Sequence, residues 1–121
     1  MGWDAETNAR LERSGEDLQI ANPEIREIFR KAEEKARRYS GGFADGYLHL
    51  AGLDCSGCAK ILEKALGLNC YSERRILPSE IRRLNRKANW EIPYDDPCDY
   101  WSAKMFMKAV EKSKLTLWFS F

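Results

Sequence analysis

Residues 22–40 constrain the fold most strongly. Asn22 and Pro23 form a helix start, a capping side chain followed by a ring already fixed at a helical φ. Ile25, Ile28, Phe29, Ala32, Ala36 and Tyr39 then recur every three to four residues, which places them in one stripe along a helix. Glu27/Lys31, Arg30/Glu34 and Glu34/Arg38 are spaced to pair on the opposite face, and Gly41-Gly42 stops the run. Such a helix must bury its apolar stripe, so the rest of the chain has to supply a core. With 121 residues, 44% of them hydrophobic and 12% aromatic, it has the material for one domain.

Charge is dense but balanced: 32% of residues are charged and the net charge is +1. Global charge therefore selects neither nucleic acid nor a membrane surface as partner. No apolar run approaches the ~20 residues of a membrane span. Met1–Ala21 carries Trp3, five acids and two arginines without apolar periodicity, which predicts a loosely ordered arm (1–21) before a single domain (22–121). The arm lacks the apolar core of a signal peptide, so a cytoplasmic chain with reduced thiols is expected.

From residue 47 the pattern predicts a strand at 47–51, a helix at 59–66 ended by Gly67, and a strand at 70–77. It continues with a short helix from Pro78 carrying Ile81, Leu84 and Ala88 inward, and a strand at 90–94. The turn Asp95-Asp96-Pro97 leads to a helix capped by Asp99 or Ser102 and running to about Lys112, with Trp101, Met105, Phe106 and Ala109 as its apolar side. Residues 115–121 alternate, with Leu115, Leu117, Phe119 and Phe121 on one face of a final strand. The expected class is α+β: a ferredoxin-like βαββαβ core with an added N-terminal helix and a short inserted helix.

Chemistry is suggested at Cys55-Ser56-Gly57-Cys58, between the first strand and its helix. Unpaired N–H groups and the positive end of the helix dipole favour thiolate there, and thiolate binds soft metals and exchanges disulfides. The stretch from Gly52 through Asp54-Cys55-Ser56-Gly57-Cys58 to Leu66 resembles the heavy-metal-associated domain of metallochaperones and metal-pumping ATPases, with Leu53 in place of that motif's methionine. The resemblance implies the βαββαβ fold and binding of Cu(I) or Zn(II) by Cys55 and Cys58, with Asp54 as a further oxygen ligand for a divalent ion.

Other readings of the pair stay open. Strand–Cys-x-x-Cys–helix is also the thioredoxin-like arrangement, with Ile92-Pro93 downstream. It resembles half of a zinc-deaminase site too, but His49 is the only histidine and no His-x-Glu precedes the pair, so that catalytic site is not formed. Cys55, Cys58, Cys70 and Cys98 would be the ligands of one structural zinc site. Buried free cysteine is also simply a small apolar residue, and the pair fits under a helix start with no cofactor at all.

A second feature is the basic segment Arg74, Arg75, Arg82, Arg83, Arg86 and Lys87, flanked by Tyr71 and Trp90. Arginine forks beside aromatic rings suit phosphate or single-stranded nucleic acid, and equally an acidic protein partner. Glu91, Asp95, Asp96 and Asp99 follow closely and are placed to neutralise it. Trp3 is a candidate partner anchor, and His49 reads as a packed strand residue. No Ser/His/Asp set, phosphate-binding glycine loop or carboxylate pair is recognisable, so no catalytic residue is assigned. The expected function is a non-enzymatic interaction protein of inhibitor or adaptor type, meeting another protein through a charged and aromatic surface. The alternatives are a thiophilic metal carrier using Cys55 and Cys58 and a basic-patch nucleic-acid binder.

Overall fold

Helix α1 spans Pro23–Tyr39, as its apolar period requires, and buries Phe29, Ala32 and Ala36. Gly41 follows it at φ 73°, a left-handed conformation that costs a residue without Cβ nothing. On its outer face Arg30 pairs with Glu27 and Glu34, and Glu34 also meets Arg38. The computed structural model describes residues 4–7, 23–41, 48–49, 52–54, 56–68, 74–91 and 96–120.

Around α1 the described elements are, in chain order, β1 (Asp4–Thr7), α1, β2 (Leu48–His49), β3 (Gly52–Asp54), α2 (Ser56–Leu66), β4 (Arg74–Ile76), α3 (Pro78–Lys87), α4 (Pro97–Ser113) and β5 (Leu117–Ser120). The strands form one sheet in the order β2-β3-β1-β5-β4. Every pairing is antiparallel.

The expected ferredoxin-like βαββαβ core is overturned. The described residues are mainly helical, with four helices against strands of two to four residues. The expected core also drew its strands from 47–51, 70–77, 90–94 and 115–121, whereas the central strand of the described sheet is β1, paired with β3 on one side and β5 on the other. The physical reason lies in α4. It buries Cys98, Tyr100, Ala103, Met105, Phe106, Met107, Ala109 and Val110, side chains that cover well over half of its circumference. A helix buried over so wide an arc has to be covered from several sides, which one face of a sheet does not do. Helices α1, α2 and α3 and strands β2 and β3 all pack on it. Phe29 of α1 meets Phe106 of α4 with ring centroids 6.2 Å apart. The first helix is thus part of the main core and not an addition at its edge.

Three local expectations change with the architecture. The segment 47–51, read as one strand, contributes β2, which pairs with β3 so that His49 stands opposite Gly52. Trp90 and Glu91 form a turn instead of beginning a strand, and 92–95 lie outside the described residues. Helix α4 starts at Pro97, capped by Asp96, whose carboxylate accepts the Cys98 N–H at 2.8 Å. Asp99 is therefore inside the first turn, and Ser102 is fully buried along the helix.

Other expectations hold. Helix α2 stops before Gly67, α3 opens on Pro78 with Ile81 fully buried, and Leu117 of β5 has no exposed surface.

Within the segment read as an arm, Asp4–Thr7 form β1, between β3 and β5 in the sheet. Ala5 pairs with Leu53 on one side and Phe119 on the other. Ala5→Pro removes a ladder donor at a position flanked on both edges. We expect a clearly lower denaturation midpoint by circular dichroism. A midpoint equal to that of the parent would show that β1 adds nothing to the fold.

A cationic groove as candidate functional site

Two consecutive helices, α3 and α4, border a groove of about 580 Å³. Arg82, Asn85, Arg86, Trp90, Lys104, Lys108, Glu111 and Lys112 line it. Five cations face one carboxylate there, on a chain whose net charge is only +1. The positive charge is therefore concentrated locally.

The local sequence explains this placement. On α3, Ile81 points into the core, which turns Arg82 and Arg86 to the open side, four residues apart. On α4, Lys104, Lys108 and Lys112 repeat every four residues and form a row along one face. Asn85 fixes the junction: its Nδ2 donates to the Met107 carbonyl at 2.8 Å and to Glu111 Oε1 at 3.1 Å. Tyr100 Oη donates to the Trp90 carbonyl at 2.7 Å, which anchors the turn carrying Trp90 to α4.

Aromatic rings continue from the groove. Trp90 meets Tyr100 edge-on at 6.3 Å, Tyr100 meets Trp101 edge-on at 5.0 Å, and Trp101 stacks on Tyr39 of α1 at 4.6 Å. Tyr39 is 53% exposed, so the stack reaches the surface. Lys104 Nζ lies 5.0 Å from the Trp101 ring and 5.6 Å from that of Tyr100. Burial, and then the ammonium groups of Lys104, Lys35 and Lys112, hold the pKa of Lys108 below the ordinary lysine range.

Of the basic residues singled out in the sequence, Arg82 and Arg86 line this groove and the others do not. Arg74 is 3.6 Å from Glu80, and the Arg75 guanidinium lies 5.6 Å over the Trp118 ring. Arg83 and Lys87 are exposed on α3 outside the lining. None of Glu91, Asp96 and Asp99 lines the groove, while Tyr71 and Asp95 lie outside the described residues. The lysine row on α4 was missed in the sequence, although its four-residue spacing was legible there.

The thiol region is built differently. Cys58 is fully buried, and its Sγ donates to the Asp99 carbonyl at 3.6 Å. Cys98 is also buried. Cys55 and Cys70 lie outside the described residues, as do Trp3 and Pro93. Asp54 belongs to β3, opposite Asp4. Asp96, Cys98 and Asp99 place three possible metal-ligand atoms within 4.8 Å of one another. Two of them already have structural work: Asp96 caps α4, and the Asp99 carboxylate stands over Gly57 in the first turn of α2. Negative charge there complements the helix dipole.

No helix among the described residues is long and apolar enough to cross a membrane. Comparison with protein-family models, with curated proteins and with solved structures finds no match to this chain.

Two outcomes follow from these geometries. A Cβ at Gly57 would fall 1.8 Å from Asp99 Oδ2 and 2.7 Å from its Cγ. Gly57→Ala should therefore lower stability in the parent. In an Asp99→Ala background it should be neutral or stabilising, up to about 1 kcal/mol from helix propensity. A denaturant double-mutant cycle reads the coupling, and strict additivity would show that the two residues do not meet.

For Lys108, the folded state disfavours the protonated amine. The penalty is complete below the lowered pKa and fades as pH rises toward the ordinary lysine value. Lys108→Met should raise the denaturation midpoint near neutral pH, with the gain closing at alkaline pH. An unchanged midpoint near neutrality would contradict this.

Proposed function

We propose that this chain is a non-catalytic binding module that holds an anionic partner in the groove between α3 and α4. The observation that carries this reading is the gathering of five cations around one carboxylate in a single groove, with a tryptophan at its wall. Lys104, Lys108 and Lys112 repel one another along α4, and like charges at that spacing destabilise a helix by a few tenths of a kcal/mol per pair. A polyanion relieves that repulsion, so the groove gains on binding what it loses in the free protein. The groups present also fit binding better than turnover. The groove offers several cations, an amide and an aromatic face, the groups that hold an anion by charge and hydrogen bonding.

The burial of Cys58 argues against the metal-carrier alternative, because an ion in transit must be handed to a partner from an accessible thiol. The groove reading keeps the interaction-protein expectation and moves its surface from the 74–87 segment to the α3–α4 junction.

Heparin, a generic polyanion, tests the reading. The parent protein should be retained on immobilised heparin at low salt and released as salt rises. Arg86→Glu combined with Lys108→Glu should pass unretained, with an unchanged far-ultraviolet spectrum. Lys64→Glu, which reverses one charge at an exposed position of α2 outside the groove, should behave like the parent. Equal retention of the groove variant and the parent would refute the assignment.

A further inference from the structure

We propose that the anionic partner is single-stranded nucleic acid, with its phosphates along the lysine row of α4 and its bases against the aromatic rings at the N-terminal end of that row. This rests on the reading of the groove as an anion site and adds the ligand class.

Geometry supplies the first argument. Residues four apart on a helix rise by about 6 Å, so Lys104, Lys108 and Lys112 present ammonium groups at an interval of the same order as successive phosphates on an extended strand. Arg82 and Arg86 repeat that interval on the opposite wall. A groove of about 580 Å³ falls in the range of sites that enclose one small ligand, roughly 300–1,000 Å³. It is of a size to hold one or two nucleotides of a single strand.

The second argument is aromatic. Trp90 lines the groove itself. Tyr39 and Trp101 form a stacked pair beside Lys104, and Tyr39 is more than half exposed. Stacking on such rings accepts any base, because every base has a π-face. An acidic peptide would match the cations, but its carboxylates make no use of the rings.

Fluorescence anisotropy with labelled oligothymidine and oligocytidine, and with labelled poly-glutamate as the acidic-peptide probe, decides the matter. Both oligonucleotides should bind at low salt, with affinity falling as log salt rises by about 0.7 per phosphate contacted. Lys108→Glu should abolish this binding. Tyr39→Ser, at an exposed position, should weaken oligonucleotide binding at least five-fold, the lower end of about 1–3 kcal/mol per stacked base. Trp90→Leu provides a second aromatic variant, its fold checked by a melting curve. Neither aromatic change should alter poly-glutamate binding. If poly-glutamate binds as tightly as the oligonucleotides and the aromatic variants leave both unchanged, the nucleic-acid inference fails while the anion-site reading stands. If neither probe nor heparin binds the parent, both fail.

Discussion

Helix α4 buries ten of its seventeen residues, and the other described elements are arranged by what must cover them. Phe29 from α1 meets Phe106, Cys58 from α2 approaches Asp99, and Asn85 from α3 reaches the Met107 carbonyl. Burying a phenylalanine or methionine fully is worth about 1.5–3 kcal/mol, so Met105, Phe106 and Met107 together contribute about 5–9 kcal/mol, as much as the whole net stability of a small domain. The sheet then has a lesser role. Its strands of two to four residues close the core beside α4 instead of forming a platform under two helices.

Placing so much of α4 inside leaves few positions for charge, and they fall mostly on one strip. Lys104, Lys108 and Lys112 occupy it, and α3 brings Arg82 and Arg86 alongside because Ile81 is needed in the core. The groove is thus a by-product of core packing in its position and a departure from optimal stability in its charge. Asn85 links the two effects. It pins α3 to α4 through two donated hydrogen bonds, while its Oδ1 is buried with no hydrogen-bond partner among the described residues. A buried acceptor without a donor costs about 1–3 kcal/mol, so the core beneath this surface is not optimised for stability alone.

The other end of α4 solves a different problem. The N-termini of α2 and α4 meet, and both need negative charge or acceptors for their free N–H groups. Asp96 serves α4, while Asp99 reaches over the first turn of α2, where Gly57 leaves the space that a side chain would fill. The cysteines at this junction, Cys58 and Cys98, are packed residues in that arrangement. The features that make Cys55-Ser56-Gly57-Cys58 resemble a metal-binding loop, a glycine and an acid near a helix start, also serve the junction of two helices.

The sequence by itself determined the elements whose signals are local. Residues 23–39 carry a complete helical period with a proline at one end and Gly41 at the other, so α1 was legible without its partners. Pro78 and Ile81 did the same for α3, and the alternation after Leu115 revealed β5. Only the tertiary structure decided what depends on distant residues. Asp4–Thr7 have no apolar pattern and became a strand because β3 and β5 offered free edges on either side. Helix α4 looked amphipathic because its half-buried Trp101 was counted with its core, whereas helices on several sides cover residues that no single face would include. The groove was least legible of all. Arg82 and Lys108 lie on different helices, and their charges add only because a shared apolar core draws α3 against α4.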